Sequence, residues 1–263
     1  MKNKTIRLTE TAVMMALATV LSILPILELP YGGSVTLCSA LPLLIIAYRY
    51  GTGWGIYAGI AYGVLQMFLG LKNVMYFTTP LSIAAVILLD YVFAFAALGL
   101  GGIFRKNNAK QSSAMVYGCL AACATRYILH TIAGCTVWAG LSIPSQAALV
   151  YSLAYNATYM IPETAVALLG TAMVCRVLDF RGDNIRHRVE ANGKFNGRIA
   201  AVAIVIAAVC IYVVRTIFAR LQNGETGEFM LEGLTQVPWG TVGIVSGAGA
   251  VIVAILLCAR KKK

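Results

Sequence analysis

The chain has 263 residues, of which 59% are hydrophobic and only 12% charged, and its mean hydropathy is +0.79. Such usage lies far outside that of soluble globular domains and points to an integral membrane protein. The net charge of +11 does not indicate nucleic-acid binding, because the basic residues collect at the ends of apolar spans, where they orient a membrane protein.

A bilayer-spanning helix needs roughly 20 mostly apolar residues. The pattern predicts spans near 8–27, 37–49, 53–70, 80–103, 113–140, 149–176, 199–218 and 239–259, the second of them short. The first span follows Lys2, Lys4 and Arg7 and ends in LPILELPYGG, which lacks a small-x-small cleavage site, so it reads as an uncleaved helix. It carries Ala12 and Ala16 four residues apart, a spacing of small side chains that lets another helix approach closely. After the third span, the loop LKNVMYFTT carries Tyr76 and Phe77.

The fourth span contains LLDYVFAF, with Asp90 beside Tyr91. In the fifth, ATRYILHTIAGCTVW places Arg126, His130, Gly134 and Trp138 at intervals of four. Each such step turns the side-chain direction by only about 40°, so the four form one slowly winding stripe, in which Gly134 leaves room for a flat group. The sixth begins LVYSLAYNATYMIPE, bringing Tyr151, Tyr155, Asn156, Tyr159 and Glu163. Asp or Arg at the centre of a membrane helix costs roughly 2.5 to 3.5 kcal/mol, so Asp90, Arg126, His130 and Glu163 should face a cavity or one another.

Beyond the sixth span, DFRGDNIRHRVEANGKFNGR reads as a cytoplasmic linker. The chain thus divides into a membrane domain at 1–178, a linker at 179–198, and a transmembrane hairpin with a basic tail at 199–263. The last span contains Gly243 and Gly247 in a G-x-x-x-G pattern, which reads as helix packing within the molecule. Lys and Arg concentrate in alternate connections: near the start, at Arg49, at 105–110, at 181–198 and in the final residues. This asymmetry predicts a multi-pass protein of the cell membrane with both termini in the cytoplasm. All seven cysteines fall in predicted spans without a Cys-x-x-Cys pair, which argues against a disulfide framework and against a metal site.

The first two thirds of the chain resemble the thiamine-specific substrate-binding (S) subunits of energy-coupling factor (ECF) transporters. The likeness rests on LTETAVMMALA, LLDYVFAFAALGLGGIFR, RYILHTIAGCTVW and YSLAYNATYMIPE, in that order. It implies an all-α membrane protein with a six-helix S-component bundle, to which this chain adds a C-terminal pair of transmembrane helices. It further implies that Asp90, Arg126, His130, Tyr151 and Asn156 hydrogen-bond the aminopyrimidine of thiamine, and that Trp138 stacks on a ring with Tyr91 alongside. Glu163 would either face the thiazolium cation or neutralise Arg126. Asp90 and Arg126 stand where some members carry glutamate and lysine, and the last two spans have no counterpart in the six-helix pattern.

No G-x-x-x-x-G-K-[ST] loop occurs, so the chain cannot itself hydrolyse ATP. The resemblance implies as partners a transmembrane coupling subunit, contacted through Ala12 and Ala16, and two ATPase subunits, with thiamine as solute and no cofactor. No catalytic constellation such as H-E-x-x-H is present, so an enzyme is not expected. The alternatives are an ion-coupled secondary transporter, against which the lack of an inverted repeat argues, and an S component for a related pyrimidine or another vitamin.

Overall fold

A computed structural model describes residues 4–29, 32–106, 110–141, 143, 145–182, 184–187, 197–221 and 231–258. The chain forms two units, Met1–Val189 and Glu190–Lys263. Most of the expected linker and the basic tail lie outside the described residues.

The first unit contains six principal helices: α1 (Lys4–Ile23), α2 (Leu41–Tyr50), α3 (Thr52–Leu69), α4 (Pro80–Gly102), α5 (Gln111–Thr136) and α6 (Gln146–Val177). The second contains α7 (Gly197–Leu221), a 3-10 turn at Leu231–Gln236, and α8 (Trp239–Cys258). Among the described residues five helices are long and apolar enough to cross a membrane by length and composition: α1, α4, α6, and segments Ile204–Leu221 and Trp239–Leu256 of α7 and α8. The chain is therefore an all-helical, multi-pass membrane protein.

Two departures from the expected spans occur early in the chain. The first helix stops at Ile23, and β1 (Pro25–Glu28) pairs antiparallel with β2 (Ser34–Thr36). Pro25 lacks the N–H that would continue the helix, and Gly32 adopts a positive φ of 95° on the way back. Helix α2 consequently starts at Leu41, with proline in its first turn. Its ten residues reach only about 15 Å, half a bilayer, and almost all are buried. It is apolar all round because it is surrounded by protein.

Close backbone contact between α3 and α4 defines the interior. A Cβ at Gly59 would lie 2.3 Å from the Phe95 carbonyl oxygen, one at Gly63 2.3 Å from that of Tyr91, and one at Gly55 2.8 Å from the Gly99 Cα. Three glycines at intervals of four thus make a seam along which α4 lies against α3. By contrast, the Gly243 and Gly247 pair is not a packing seam. A Cβ at either meets nothing within 4 Å, and it is Gly249 that abuts Val209 of α7.

Polar contacts fasten α1 to its neighbours along its length. Arg49, its side chain fully buried, donates to both oxygens of Glu10 at 2.9 and 2.8 Å and to the Phe180 carbonyl at 3.2 Å. Further along, Trp54 donates to the Thr11 hydroxyl, Tyr62 to the Ala18 carbonyl, and Gln66 to the Ser22 hydroxyl. The exposed Lys72–Glu28 pair is also close, at 3.0 Å, yet exposed pairs contribute at most about 1 kcal/mol, whereas breaking a buried one costs about 3 kcal/mol or more. Arg49→Ala is therefore expected to lower the thermal unfolding midpoint of detergent-solubilised protein markedly and Lys72→Ala hardly at all. Equal shifts would contradict this assignment.

Candidate solute-binding site

At the end of the first unit where α1 and α3 finish and α6 begins, the helices enclose a cavity of about 830 Å³. Its walls come from the C-terminal ends of α1 and α3, the middle of α4, the second half of α5, the first half of α6 and the β1–β2 hairpin. Small-molecule sites typically occupy roughly 300 to 1,000 Å³.

Helix α4 changes winding as it passes the cavity, from α-helical at Pro80–Val86 to π-helical at Ile87–Phe93. Wider winding reduces the rotation between successive residues, and the neighbours Asp90 and Tyr91 both border the cavity. The Asp90 carboxylate is shared: Oδ1 lies 2.9 Å from His130 Nδ1, and Oδ2 accepts from Trp138 Nε1 at 2.9 Å. Tyr91 donates to the Gly70 carbonyl at 3.2 Å.

Helix α5 ends at Thr136, so Trp138 is not on a continuous helix as the spacing suggested. Its N–H still reaches the Ala133 carbonyl at 3.1 Å, which carries the winding far enough to bring the indole to the cavity. Phe77 meets the indole edge-on at 4.8 Å and Tyr76 lies at 6.0 Å from it, though neither borders the cavity itself. Arg126, only 9% exposed, sets its guanidinium 4.9 Å from the Phe95 ring centre. Its Nε is buried without a hydrogen-bond partner, and it pairs with no carboxylate among the described residues.

Tyr151, Tyr155, Asn156 and Tyr159 line the facing wall on α6. The Tyr151 and Tyr155 rings are parallel within 3°, and Tyr159 stands edge-on to Tyr155. Asn156 is occupied at both ends, donating to the Ser152 carbonyl at 2.9 Å and the His130 carbonyl at 3.3 Å while accepting from the Tyr159 hydroxyl at 2.7 Å. Its amide thus braces α6 against α5.

Two expectations need correction. Glu163 does not border the cavity and forms no direct ion pair with Arg126 among the described residues, although the Arg126 charge still acts on it. It is buried and accepts from the Thr36 N–H at 2.6 Å and the Thr36 hydroxyl at 2.7 Å, anchoring the end of β2 to α6. The reason is the β1–β2 hairpin, which brings unpaired backbone donors to α6 and was not legible as structure in the sequence. Gly134, although it borders the cavity, is small for the sake of packing: a Cβ there would sit 2.2 Å from Ser152 Oγ.

The structure also brings in residues that the sequence reading did not single out. Gln66, the one amide in its apolar span, borders the cavity with Ser22 and Phe95, and its isolation was the available signal. At the mouth, Lys72 pairs with Glu28, and Tyr155 accepts from the Gly33 N–H at 3.3 Å. Ala12 and Ala16 lie on the exposed face of α1 together with Leu8, Val13 and Leu17.

A bundle of membrane helices around a cavity of aromatic, imidazole, carboxylate and guanidinium groups is the architecture of a membrane protein that holds a small polar solute. Comparison with known proteins makes this specific. The profile of the family described as Thiamine transporter protein (Thia_YuaJ) matches residues 8–179, and the chain belongs to this family. It is 31% identical over 175 residues to the thiamine transporter ThiT of Bacillus subtilis, spanning 62% of this chain and 87% of that one. It is 26% identical over 186 residues to ThiT of Lacticaseibacillus paracasei, across 64% and 86% of the two chains. A solved structure of ThiT from Listeria monocytogenes has the same fold, with a TM-score of 0.52 at 24% identity, covering 65% of this chain and 94% of its own. Helices α7 and α8 lie beyond the residues that match the family.

Replacing Glu163 by glutamine removes a charged acceptor of two hydrogen bonds, each worth about 1.5 to 3 kcal/mol to a charged group. Glu163→Gln is expected to speed amide hydrogen exchange at Val35 and Thr36 while the core of α2 keeps its protection. Unchanged exchange in the hairpin would show that Glu163 does not anchor it.

Proposed function

We propose that this chain is the thiamine-binding membrane subunit of an ATP-driven importer of the ECF type. The observation that carries the reading is the cavity itself, bordered by Asp90, His130, Trp138 and Arg126, whose Nε has no hydrogen-bond partner among the described residues, in a member of the thiamine transporter family. Thiamine joins a flat aminopyrimidine to a cationic thiazolium. The aminopyrimidine offers a donor beside ring acceptors, suited to an imidazole and a guanidinium. The cation suits aromatic faces such as those of Tyr151 and Trp138, with the Asp90 charge nearby. Arg126 would donate to a ring nitrogen and so gain the acceptor that the protein does not supply.

Asn156 and Tyr91 serve in this reading as a brace and a wall of the cavity. Glu163 acts at a distance, by holding the hairpin over the mouth. The positive-inside asymmetry of the sequence supports cytoplasmic termini and therefore a cavity that opens toward the outside. With no ATP-binding loop in the chain, energy would come from two ATPase subunits through a membrane coupling subunit. The exposed face of α1 bearing Ala12 and Ala16 is the surface offered to that subunit, because small side chains let a second helix approach closely.

Thiamine is expected to quench the fluorescence of purified protein saturably at submicromolar concentration, and Trp138→Phe to abolish most of that response. Arg126→Ala loses a charge-assisted contact of about 1.5 to 3 kcal/mol, so its affinity should fall at least about tenfold. No saturable quenching, or an equal response to riboflavin and biotin, would refute the proposed solute. Uptake in cells that survives loss of the ATPases and collapses with an ionophore would instead favour an ion-coupled transporter.

A further inference from the structure

We propose that Asp90 is a positioning residue that sets which hydrogen-bonding face His130 turns to the solute, so that the site selects a pyrimidine carrying an amino donor. This rests on the reading of the cavity as a thiamine site and adds a role for Asp90 other than direct contact. One carboxylate holds two side chains at once, the imidazole at 2.9 Å and the indole at 2.9 Å. An indole N–H only donates, which makes Oδ2 an acceptor, and an ionised carboxylate has no proton to give. In the proposed arrangement the carboxylate is ionised and Oδ1 accepts from Nδ1, the tautomer that the proposal assigns. A neutral imidazole with its proton on Nδ1 presents a lone pair at Nε2.

His130 borders the cavity, and Nε2 makes no hydrogen bond among the described residues. Asp90 from α4 contacts the ring and Tyr159 from α6 stands edge-on to it at 6.4 Å, while Trp138 just beyond α5 and Arg126 one turn below on α5 border the same cavity. A second proton on the imidazole would add positive charge beside the Arg126 guanidinium and a cationic solute. The α5 backbone that carries the ring is held as well, since Asn156 donates to the His130 main-chain carbonyl and is itself oriented by the Tyr159 hydroxyl. The exocyclic amino group of a pyrimidine complements an acceptor at Nε2. An oxo group at the same position would set two acceptors against each other.

Asp90→Asn tests this with little change of shape. Its carbonyl oxygen still accepts from Trp138, which turns its NH2 toward His130 Nδ1 and drives the imidazole proton to Nε2. The chain has two histidines, so nitrogen-15 NMR of histidine-labelled protein in nanodiscs, with His187→Gln to identify the second signal, reads the tautomer directly. Wild-type protein should be protonated at Nδ1 alone and the variant at Nε2. In parallel, wild-type protein should prefer thiamine over its 4-oxo analogue by at least about tenfold, as sites that pair a ligand N–H reject analogues lacking it. Asp90→Asn should bring that ratio to parity or below.

A wild-type imidazole protonated at Nε2 or at both nitrogens overturns the proposal, as does a variant that loses both ligands in equal proportion. Binding of neither ligand by wild-type protein defeats the thiamine reading instead, and with it the selection of an amino donor. The tautomer measured by NMR then still decides the role of Asp90 toward His130. If Asp90→Asn does not fold, the wild-type spectrum and the wild-type ligand ratio carry the decision.

Discussion

Charge placed among apolar helices has to be matched within the protein, because lipid offers no partner. In this bundle Asp90 does most of that matching around the cavity, binding an imidazole from α5 and the indole that follows it. Arg126, on the same helix one turn below His130, forms no ion pair among the described residues; its guanidinium rests on Phe95 with its Nε unsatisfied. The asymmetry divides the cavity into a region whose polarity is internally balanced and one that awaits an acceptor. A solute that brings its own acceptor and its own positive charge fits both regions.

That arrangement depends on how closely the helices approach. Gly55, Gly59 and Gly63 bring α4 against α3, and Gly134 brings α6 against α5 at Ser152. Each removes a side chain where the neighbouring element must sit, and the effect is to put Asp90, His130 and the α6 tyrosines around one space. The β1–β2 hairpin completes the enclosure. It is tied down by Glu163 through Thr36 and by Tyr155 through Gly33, so Glu163, which read from the sequence as a binding group, spends its hydrogen bonds on the cover.

Much of the candidate site was legible because burying an ionisable group in a membrane helix is costly and therefore conspicuous. Asp90, Arg126 and His130 stood out in that way, and helical phase grouped Trp138 with Arg126 and His130 on one wall. Glu163 stood out for the same reason and was misread, since cost reveals that a partner exists and not which one. Asn156 also met a structural demand, bracing two helices with both ends of its amide. Gly134 was read as room for a ring when it is room for a neighbouring helix, a distinction that spacing alone does not contain.

The sequence by itself determined a multi-pass helical membrane protein, the order and approximate limits of six helices, and the family to which they belong. Those features are set by local quantities: apolar length against the thickness of a bilayer, and the residue types found at helical intervals. Tertiary structure alone decided that Pro25–Glu28 pairs with Ser34–Thr36, that α2 is enclosed by protein, that the glycines of α3 make the close seam while Gly243 and Gly247 do not, and that one carboxylate serves two side chains 40 and 48 residues away. Each of these turns on which groups meet across helices, and a polar or missing side chain records the need for a contact without recording its partner.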